Sequence, residues 1–370
     1  MKRKIAWCAA VLALIISASL ALAQKPQPQP EKPALTFSTE EMARELTGLA
    51  ADAIRGKKYE KAFKLLKQIV FLKPEDAACQ FQLGQVAVKL GRYPEAVKAF
   101  KKAILFKADF PEAHFALGGA YILMDRPEDA LEVLQRGLRL KADNEEGYLL
   151  LGAAQVLLQH YSEAAAAYRR AAELNSKSAP AYLGLGQALN YLGQYQEAAT
   201  ALNQALRLNP KNGGAYLELA AAYSNLGDYQ KGLEACRQAL NLEPAWSEVH
   251  YGLGELYAGQ GQYQEALAAY KLALRLDRQS YRAWTGQGEA LAQLDRYEEA
   301  VESFKTAIRL KPDYARAHFS LGLTYLEAGI KMGALEEYDI LRTMDLHLAR
   351  MLIRYIAQDI SSGWKIRKSR

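Results

Sequence analysis

The side chains best suited to metal binding or thiol chemistry lie far apart in this sequence. They are His114, His250, His318, Cys79 and Cys236. Zinc sites draw their ligands from positions a few residues apart, and none of these five lies that close to another. The phosphate loop GxxxxGK[ST] and the signatures HExxH, GxSxG and CxxC do not occur. The sequence therefore predicts no metal, no cofactor and no enzymatic activity, and we expect these side chains to pack in the interior.

Three glycine pairs look like pieces of a dinucleotide-binding motif, but they lack its third glycine and repeat with one constant period: Gly184/Gly186, Gly252/Gly254 and Gly286/Gly288. Equal steps in either direction from Gly186 always meet a small residue: Gly84, Gly118, Gly152, Ala220, Gly254, Gly288 and Gly322. Apolar residues around Gly186 recur at i+3 and i+4, which is typical of amphipathic helices, and a turn at Gly193 separates two of them. A fixed period of helix, turn and helix indicates a helical repeat array.

Nine units of equal length follow one another within the range 38–348: 43–76, 77–110, 111–144, 145–178, 179–212, 213–246, 247–280, 281–314 and 315–348. Counting from the first residue of each unit, Tyr occupies position 17 in seven units, and Leu (position 7) and Ala (position 20) each recur in eight. With this pattern the chain resembles the tetratricopeptide repeat family. The resemblance implies an all-α fold, a right-handed superhelical solenoid of about nine helix-turn-helix repeats, with a helix at 349–360 capping the last one.

The two ends of the chain carry signals of their own. The segment 1–23 has the basic start, apolar run and small-residue cleavage site of a secretory signal peptide. The alternative is an uncleaved membrane anchor, because the apolar run 5–23 is long enough to nearly cross a bilayer. The segment 24–37 reads as a proline-rich linker, and 361–370 as a basic tail. We expect an exported protein, periplasmic or secreted; the anchored alternative would face the periplasm from the inner membrane.

The first helix is expected to start near Thr39, because Ser38 and Glu41 have the spacing of a capping box and Phe37 with Met42 that of a hydrophobic staple. In unit 213–246, Ala220 stands where Gly is usual and Gly232 where Ala is usual. We interpret this as an exchange that keeps the volume at the helix crossing. The two residues should therefore be close neighbours.

The formal net charge of +6 does not indicate a nucleic-acid ligand. Three of the basic residues lie in the expected signal peptide, whose removal would leave a charge of +3. So small a charge does not support nucleic-acid binding, and contact with a membrane is expected only if the segment 1–23 remains attached.

In the family that this chain resembles, positions 2, 5, 9, 12 and 13 of each first helix tend to contact a ligand on the inner face. In units 2–5 these positions form an apolar strip: Phe81, Phe115, Ile122, Leu123, Leu149, Val156, Leu157 and Leu183. Exposed together, they would form a groove for an apolar or amphipathic peptide. The alternative is that they pack between helices.

The same positions become polar further along the chain: Asn190, Tyr191, Ser224, Asn225, Glu255, Glu289, Gln293 and Glu327. Glu255 and Glu289 lie one unit apart, which predicts an acidic surface that favours a basic segment; an ordinary solvated face is the alternative. The Lys and Asn that hold a C-terminal carboxylate in some family members are absent. We therefore expect a non-enzymatic scaffold of the cell envelope that binds a partner protein or peptide, or, if anchored, one that organises envelope assembly or secretion machinery.

Overall fold

A computed structural model of the chain describes residues 38–362, and within that range every regular element is an α-helix. The expected signal peptide (1–23), the linker (24–37) with Phe37 of the staple, and residues 363–370 of the tail lie outside the described residues. The helices are α1 Thr39–Arg55, α2 Tyr59–Leu72, α3 Ala77–Lys89, α4 Tyr93–Phe106, α5 Pro111–Leu123, α6 Pro127–Leu140, α7 Glu145–Leu157, α8 Tyr161–Leu174, α9 Ala179–Tyr191, α10 Tyr195–Leu208, α11 Gly213–Asn225, α12 Tyr229–Leu242, α13 Ser247–Gly259, α14 Tyr263–Leu276, α15 Tyr281–Gln293, α16 Tyr297–Leu310, α17 Ala315–Glu327, α18 Lys331–Met344 and α19 Leu346–Ser362.

The limits of these helices follow from residues at fixed positions of the repeat. Ser38 and Glu41 form the expected capping box at the start of α1. In later units the residue at position 34 often caps the next helix, as Asn144 does by accepting a hydrogen bond from the Gly147 N–H at 2.6 Å. Position 15 has a positive φ in all nine units, supplied by Gly in five and by Lys57, Asp125, Gln159 and Asp295 in the others. This left-handed residue ends each first helix and makes the turn.

The described residues form two compact bodies, one ending at Leu208 and one beginning at Asn209. Within the N-terminal body, which contains α1 to α10, neighbouring helices along the chain pack against each other. The same holds within the C-terminal body, which contains α11 to α19. Leu66, Phe100 and Leu134, all at position 24, are buried in the core of the N-terminal body. The predicted all-α repeat fold is confirmed.

The small residue at position 8 is required by the large side chain at position 24 of the same unit. A Cβ placed on Gly186 would lie 2.5 Å from a carbon of Leu202, and one on Gly152 would lie 2.8 Å from the ring of Tyr168. A Cβ placed on Gly288 would likewise meet the ring of Phe304. In these three units a methyl group at position 8 would therefore displace the buried side chain that fills the centre of the unit.

Ala220 and Gly232 are neighbours, as predicted, but for a different reason. The Ala220 carbonyl oxygen lies 3.5 Å from the point where a Cβ at Gly232 would stand, which is an ordinary contact. What excludes a side chain at Gly232 is Leu256 of the next unit, whose methyl carbon occupies that space. The extra methyl of Ala220 is tolerated because position 24 of its unit is the small Cys236.

Helix α19 covers the last repeat by packing against both α17 and α18. It begins at Leu346, slightly before the expected start at 349, and runs to Ser362. Leu352 and Ile356 are buried in a cluster with Leu341. A methyl carbon of Leu352 lies 2.6 Å from the Cβ position of Gly322, so the cap enters the gap above the glycine at position 8.

The residue at position 4 of several first helices holds the turn that precedes it. His250 Nε2 lies 3.2 Å from the Pro244 carbonyl oxygen, and Trp284 Nε1–H donates to the Arg278 carbonyl at 3.0 Å. Gln80 donates in the same way to the carbonyl of Pro74. In these units position 4 carries an N–H donor for that carbonyl, whereas Tyr148, Tyr182 and Tyr216 stand at the same position of others. The contact gives His250 a structural role.

Both described cysteines are free and buried. Burial raises the pKa of the Cys236 thiol to about 12, and burial together with a hydrogen bond to Asp76 raises that of Cys79 to about 12. Since the thiolate is the reactive form, Cys79 and Cys236 are packed, unreactive thiols, as the sequence predicted.

His318 differs from the other position-4 histidines because both of its ring nitrogens face acceptors. Nδ1 lies 2.6 Å from a carboxylate oxygen of Glu337, and Nε2 lies 2.9 Å from the Pro312 carbonyl oxygen. Two acceptors require two N–H donors, which only the imidazolium has. Burial alone lowers the pKa of His318, but the hydrogen bonds to Glu337 and Pro312 outweigh it and raise the pKa above 6.5.

We predict that the C-terminal body loses stability as the pH rises above neutrality. A histidine whose pKa is raised by folding stabilises the fold fully below its unfolded pKa and loses that contribution as the pH passes its folded pKa. Urea unfolding followed between pH 6 and 9 should show a falling midpoint. Glu337→Gln should flatten this dependence, since its amide oxygen still accepts a hydrogen bond but carries no charge; an unchanged slope in this variant would contradict the assignment.

Candidate functional site

An open pocket lies on the first helices of units 2, 3 and 4, within the N-terminal body. We call it the aromatic pocket; its lining residues are Phe81, Gln85, Val88, Phe100, Glu112, Phe115, Ala116, Gly119, Glu146 and Leu150. Seven of the ten stand at positions 2, 5, 9 or 12 of α3, α5 or α7. Positions 5, 9 and 12 share one face of a helix, so three neighbouring first helices present one continuous surface.

Aromatic rings form the walls of this pocket. The Phe81 ring packs in tilted contact with Phe100 at a centroid distance of 5.7 Å and with Phe110 at 4.9 Å. Phe115 is buried and forms the floor, where its ring also fills the space above Gly147. The rings therefore hold one another in place, so contacts within the chain set the shape of the pocket.

Two carboxylates face this apolar surface. Glu112 lies 3.6 Å from the Lys141 ammonium. Burial, together with the charges of Glu112 and Glu145, raises the pKa of Glu146 to about 7, while Lys141 opposes them. Among residues 38–362, no hydrogen bond or ion-pair contact engages the Glu146 carboxylate. A partly desolvated, unpaired acid thus lies beside aromatic rings.

The structure divides the apolar strip expected in units 2–5. Five of its members are buried, as expected if they pack between helices and do not line a groove: Phe115, Ile122, Leu149, Val156 and Leu183. Phe81, Leu123 and Leu157 are half-buried. The expected long apolar groove is therefore reduced to the aromatic pocket, with Phe81 on its wall and Phe115 on its floor. Sequence reasoning missed Gln85, Glu112 and Glu146, although positions 2 and 9 of the family pattern point to them.

The polar residues expected next on the surface have local partners. Tyr191 is 46% exposed, and its ring stacks on Tyr161 at 4.4 Å. Asn190 is half-buried at the end of the same helix. Asn225, in the C-terminal body, is exposed and donates to the Ala221 carbonyl at 2.9 Å. Asn190 and Tyr191 thus belong to the N-terminal body and Asn225 to the C-terminal body.

Glu255 and Glu289 are brought together by an arginine that sequence reasoning did not single out. Arg316, at position 2 of unit 9, donates from Nε to Glu289 at 2.8 Å, and its Nη1 lies 3.6 Å from Glu255. Ser320 donates to the same Glu289 at 2.9 Å, and Tyr270 donates to Glu255 at 2.7 Å. We call these five residues the Arg316 cluster. Position 9 of one unit meets position 2 of the next, and this register is the signal that would have revealed the pair.

The expectation of an acidic surface in this part of the chain is therefore wrong. Arg316 neutralises charge on both glutamates, and Arg282 stands over the Tyr251 ring at 5.4 Å beside them. Burial raises the pKa of Tyr270, and the charge of Glu255 raises it further, so its hydroxyl stays protonated and remains a donor. The cluster joins three repeats by hydrogen bonds and presents little net charge.

The described residues hold no group of three or more His, Cys, Asp or Glu side chains that could bind a metal ion. Between residues 38 and 362, none of the helices combines the length and the apolar character needed to span a bilayer.

The fold and the pocket define a helical repeat protein that presents a preformed surface built from its first helices. Tetratricopeptide repeat profiles match residues 53–114, 87–154, 189–256, 149–212 and 247–280, and a TPR repeat profile matches 288–329. The chain belongs to the tetratricopeptide repeat family. Proteins of this family are generally protein-interaction scaffolds, and their fold is typically non-enzymatic.

No curated protein matches the sequence significantly, and similarity to solved structures concerns the fold. A tetratricopeptide repeat protein from Parabacteroides merdae is 18% identical, with a TM-score of 0.54 over 68% of this chain and 99% of that one. The APC/C hetero-tetramer Cut9–Hcn1 is 14% identical, with a TM-score of 0.53 over 86% and 87%. YrrB, described as a TPR protein with an unusual peptide-binding site, is 24% identical, with a TM-score of 0.40 over 50% and 96%.

Proposed function

We propose that this chain is a non-enzymatic scaffold that binds a partner protein or peptide in the aromatic pocket, and that it does so in the cell envelope. One observation carries the binding proposal: three successive first helices leave a preformed aromatic pocket open at the positions that the family uses for ligands. Pockets of this kind, with apolar walls and few polar groups, are the usual form of a specific binding site.

Filling the pocket should abolish binding without unfolding the repeat. Gln85 is half-buried on the pocket surface, so Gln85→Trp places an indole in the opening. We expect at least one protein captured from envelope extract by the parent chain to fall at least about tenfold with this variant, because the ligand loses its main apolar contact. Quantitative mass spectrometry of the captured proteins measures the change.

The matched control is Gln196→Trp, which adds the same side chain at an exposed position of the second helix α10. It should capture the same proteins as the parent. Equal capture by the parent and by both variants would show that the pocket is not the binding surface.

The envelope location is supported by the segment 1–23, which lies outside the described range, and amino-terminal sequencing of the protein from cells tests it. A start at Gln24 is the expected result and corresponds to a cleaved export signal. A start at Met1 in the membrane fraction would replace it with the anchored alternative, in which the array organises envelope assembly or secretion machinery.

A further inference from the structure

We infer that the aromatic pocket recognises a lysine or arginine side chain of a partner segment, with the charged group at Glu146. This inference rests on the proposed function and names the chemistry of the ligand. It commits to a basic peptide segment, whereas the clamp for a C-terminal carboxylate would select the opposite charge.

The walls of the pocket suit the aliphatic part of a basic side chain. Phe81, Val88 and Leu150 offer apolar surface along the pocket, and none of its ten lining residues is a lysine or arginine. Long basic side chains bury their methylene groups on such surfaces while their charge reaches a polar partner. An ammonium or guanidinium group also interacts favourably with the face of a phenylalanine ring.

The charge distribution selects a cation over the alternatives. An acidic ligand would meet the charges of Glu112 and Glu146 in the lining, and Lys141, the base beside them, already contacts Glu112 at 3.6 Å. A purely apolar ligand would remove more water from Glu146, which is already partly desolvated and engages no partner among the described residues. A basic group supplies a charged partner for the half-buried Glu146 and thereby offsets the cost of its partial desolvation.

Binding of this kind depends on pH. The groups that face Glu146 are Glu112 on α5, Glu145 on its own helix, whose carboxylate accepts from Asn175 at 2.7 Å, and Lys141 on the preceding turn. Burial, together with the charges of Glu112 and Glu145, raises the pKa of Glu146 to about 7, so the free pocket is only partly ionised at neutrality. A cation binds the ionised form, and its affinity therefore rises with pH through neutrality and levels off above it.

The test uses dodecapeptides selected from a random phage-displayed library against the purified full-length chain. Peptides whose binding is lost with Gln85→Trp are synthesised, and their dissociation constants are measured by fluorescence anisotropy. We expect these peptides to contain a lysine or arginine whose replacement by norleucine weakens binding at least about tenfold, because a charge-assisted contact is lost. Glu146→Gln should weaken binding of the parent peptide to the same extent. In this variant the replacement of the basic residue by norleucine should no longer change the affinity.

Glu163→Gln, at an exposed glutamate of α8, is the matched control and should leave affinity unchanged. If Glu146→Gln does not fold, the parent chain still decides the matter: affinity should rise between pH 5.5 and 8 for the lysine peptide and not for the norleucine peptide. Pocket-dependent peptides without a basic residue, or with equal affinity for Glu146→Gln, would overturn the inference and leave the proposed function standing. If no selected peptide depends on Gln85, the proposed function itself fails.

Discussion

Alanine at Gly184 is expected to destabilise the fold by about 1–3 kcal/mol, the usual cost of overfilling a packed interior. The same substitution at Gly252, at the same position of another repeat, should stabilise it by up to about 1 kcal/mol, since alanine is the better helix former. The opposite signs come from the preceding unit. A Cβ at Gly184 would lie 2.5 Å from the ring of Tyr168, whereas one at Gly252 lies 3.7 Å from the sulfur of Cys236.

Urea unfolding followed by circular dichroism measures both changes. Gly286→Ala is the matched control in the C-terminal body, because its Cβ would lie 2.6 Å from the ring of Tyr270, and it should behave like Gly184→Ala. In Gly184→Ala combined with Tyr168→Cys, which copies the pair at Gly252, the alanine should no longer be destabilising. Destabilisation of equal size at Gly184 and Gly252 would show that the ring at position 24 does not set the requirement for glycine.

The sequence was sufficient to predict the fold because one period specifies every helix. The constant step from Gly186 to its equivalents locates the small residues that let the two helices approach, and the turn expected at Gly193 has a φ of 74°. The sequence could not reveal which contact makes each small residue necessary. Gly232 is fixed by Leu256, which belongs to the following unit, and this contact depends on how two neighbouring units stack.

The candidate site was less predictable, because the pattern gives the face of a helix and not the depth of a side chain. Phe81 and Phe115 share position 5, yet Phe81 is half-buried and Phe115 is 2% exposed. Glycine at Gly147, in the next unit, lets the Phe115 ring sink between helices. The pairing of Arg316 with Glu289 was not predictable for a related reason: the contact joins position 2 of one unit to position 9 of the unit before, and it depends on how the two units stack.

Arg316→Met should destabilise the C-terminal body by about 1–2 kcal/mol. The value lies between those for exposed and buried ion pairs, because the side chains of Arg316, Glu255 and Glu289 are 45%, 30% and 29% exposed. Methionine keeps the length and apolar stem of the side chain but removes the cation that both carboxylates contact. The loss should be seen as a lower urea midpoint.

Two further variants separate the charge of Arg316 from its packing. Arg342→Met, which removes a surface pair with Asp339 at 3.2 Å, should leave the midpoint unchanged. Glu289→Gln in the Arg316→Met background should recover part of the lost stability, because it removes one of the two opposed charges while its amide can still accept from Ser320. If this second substitution destabilises the chain further, the cluster is held by packing of the arginine stem, and the two glutamates do not depend on Arg316 for their charge balance.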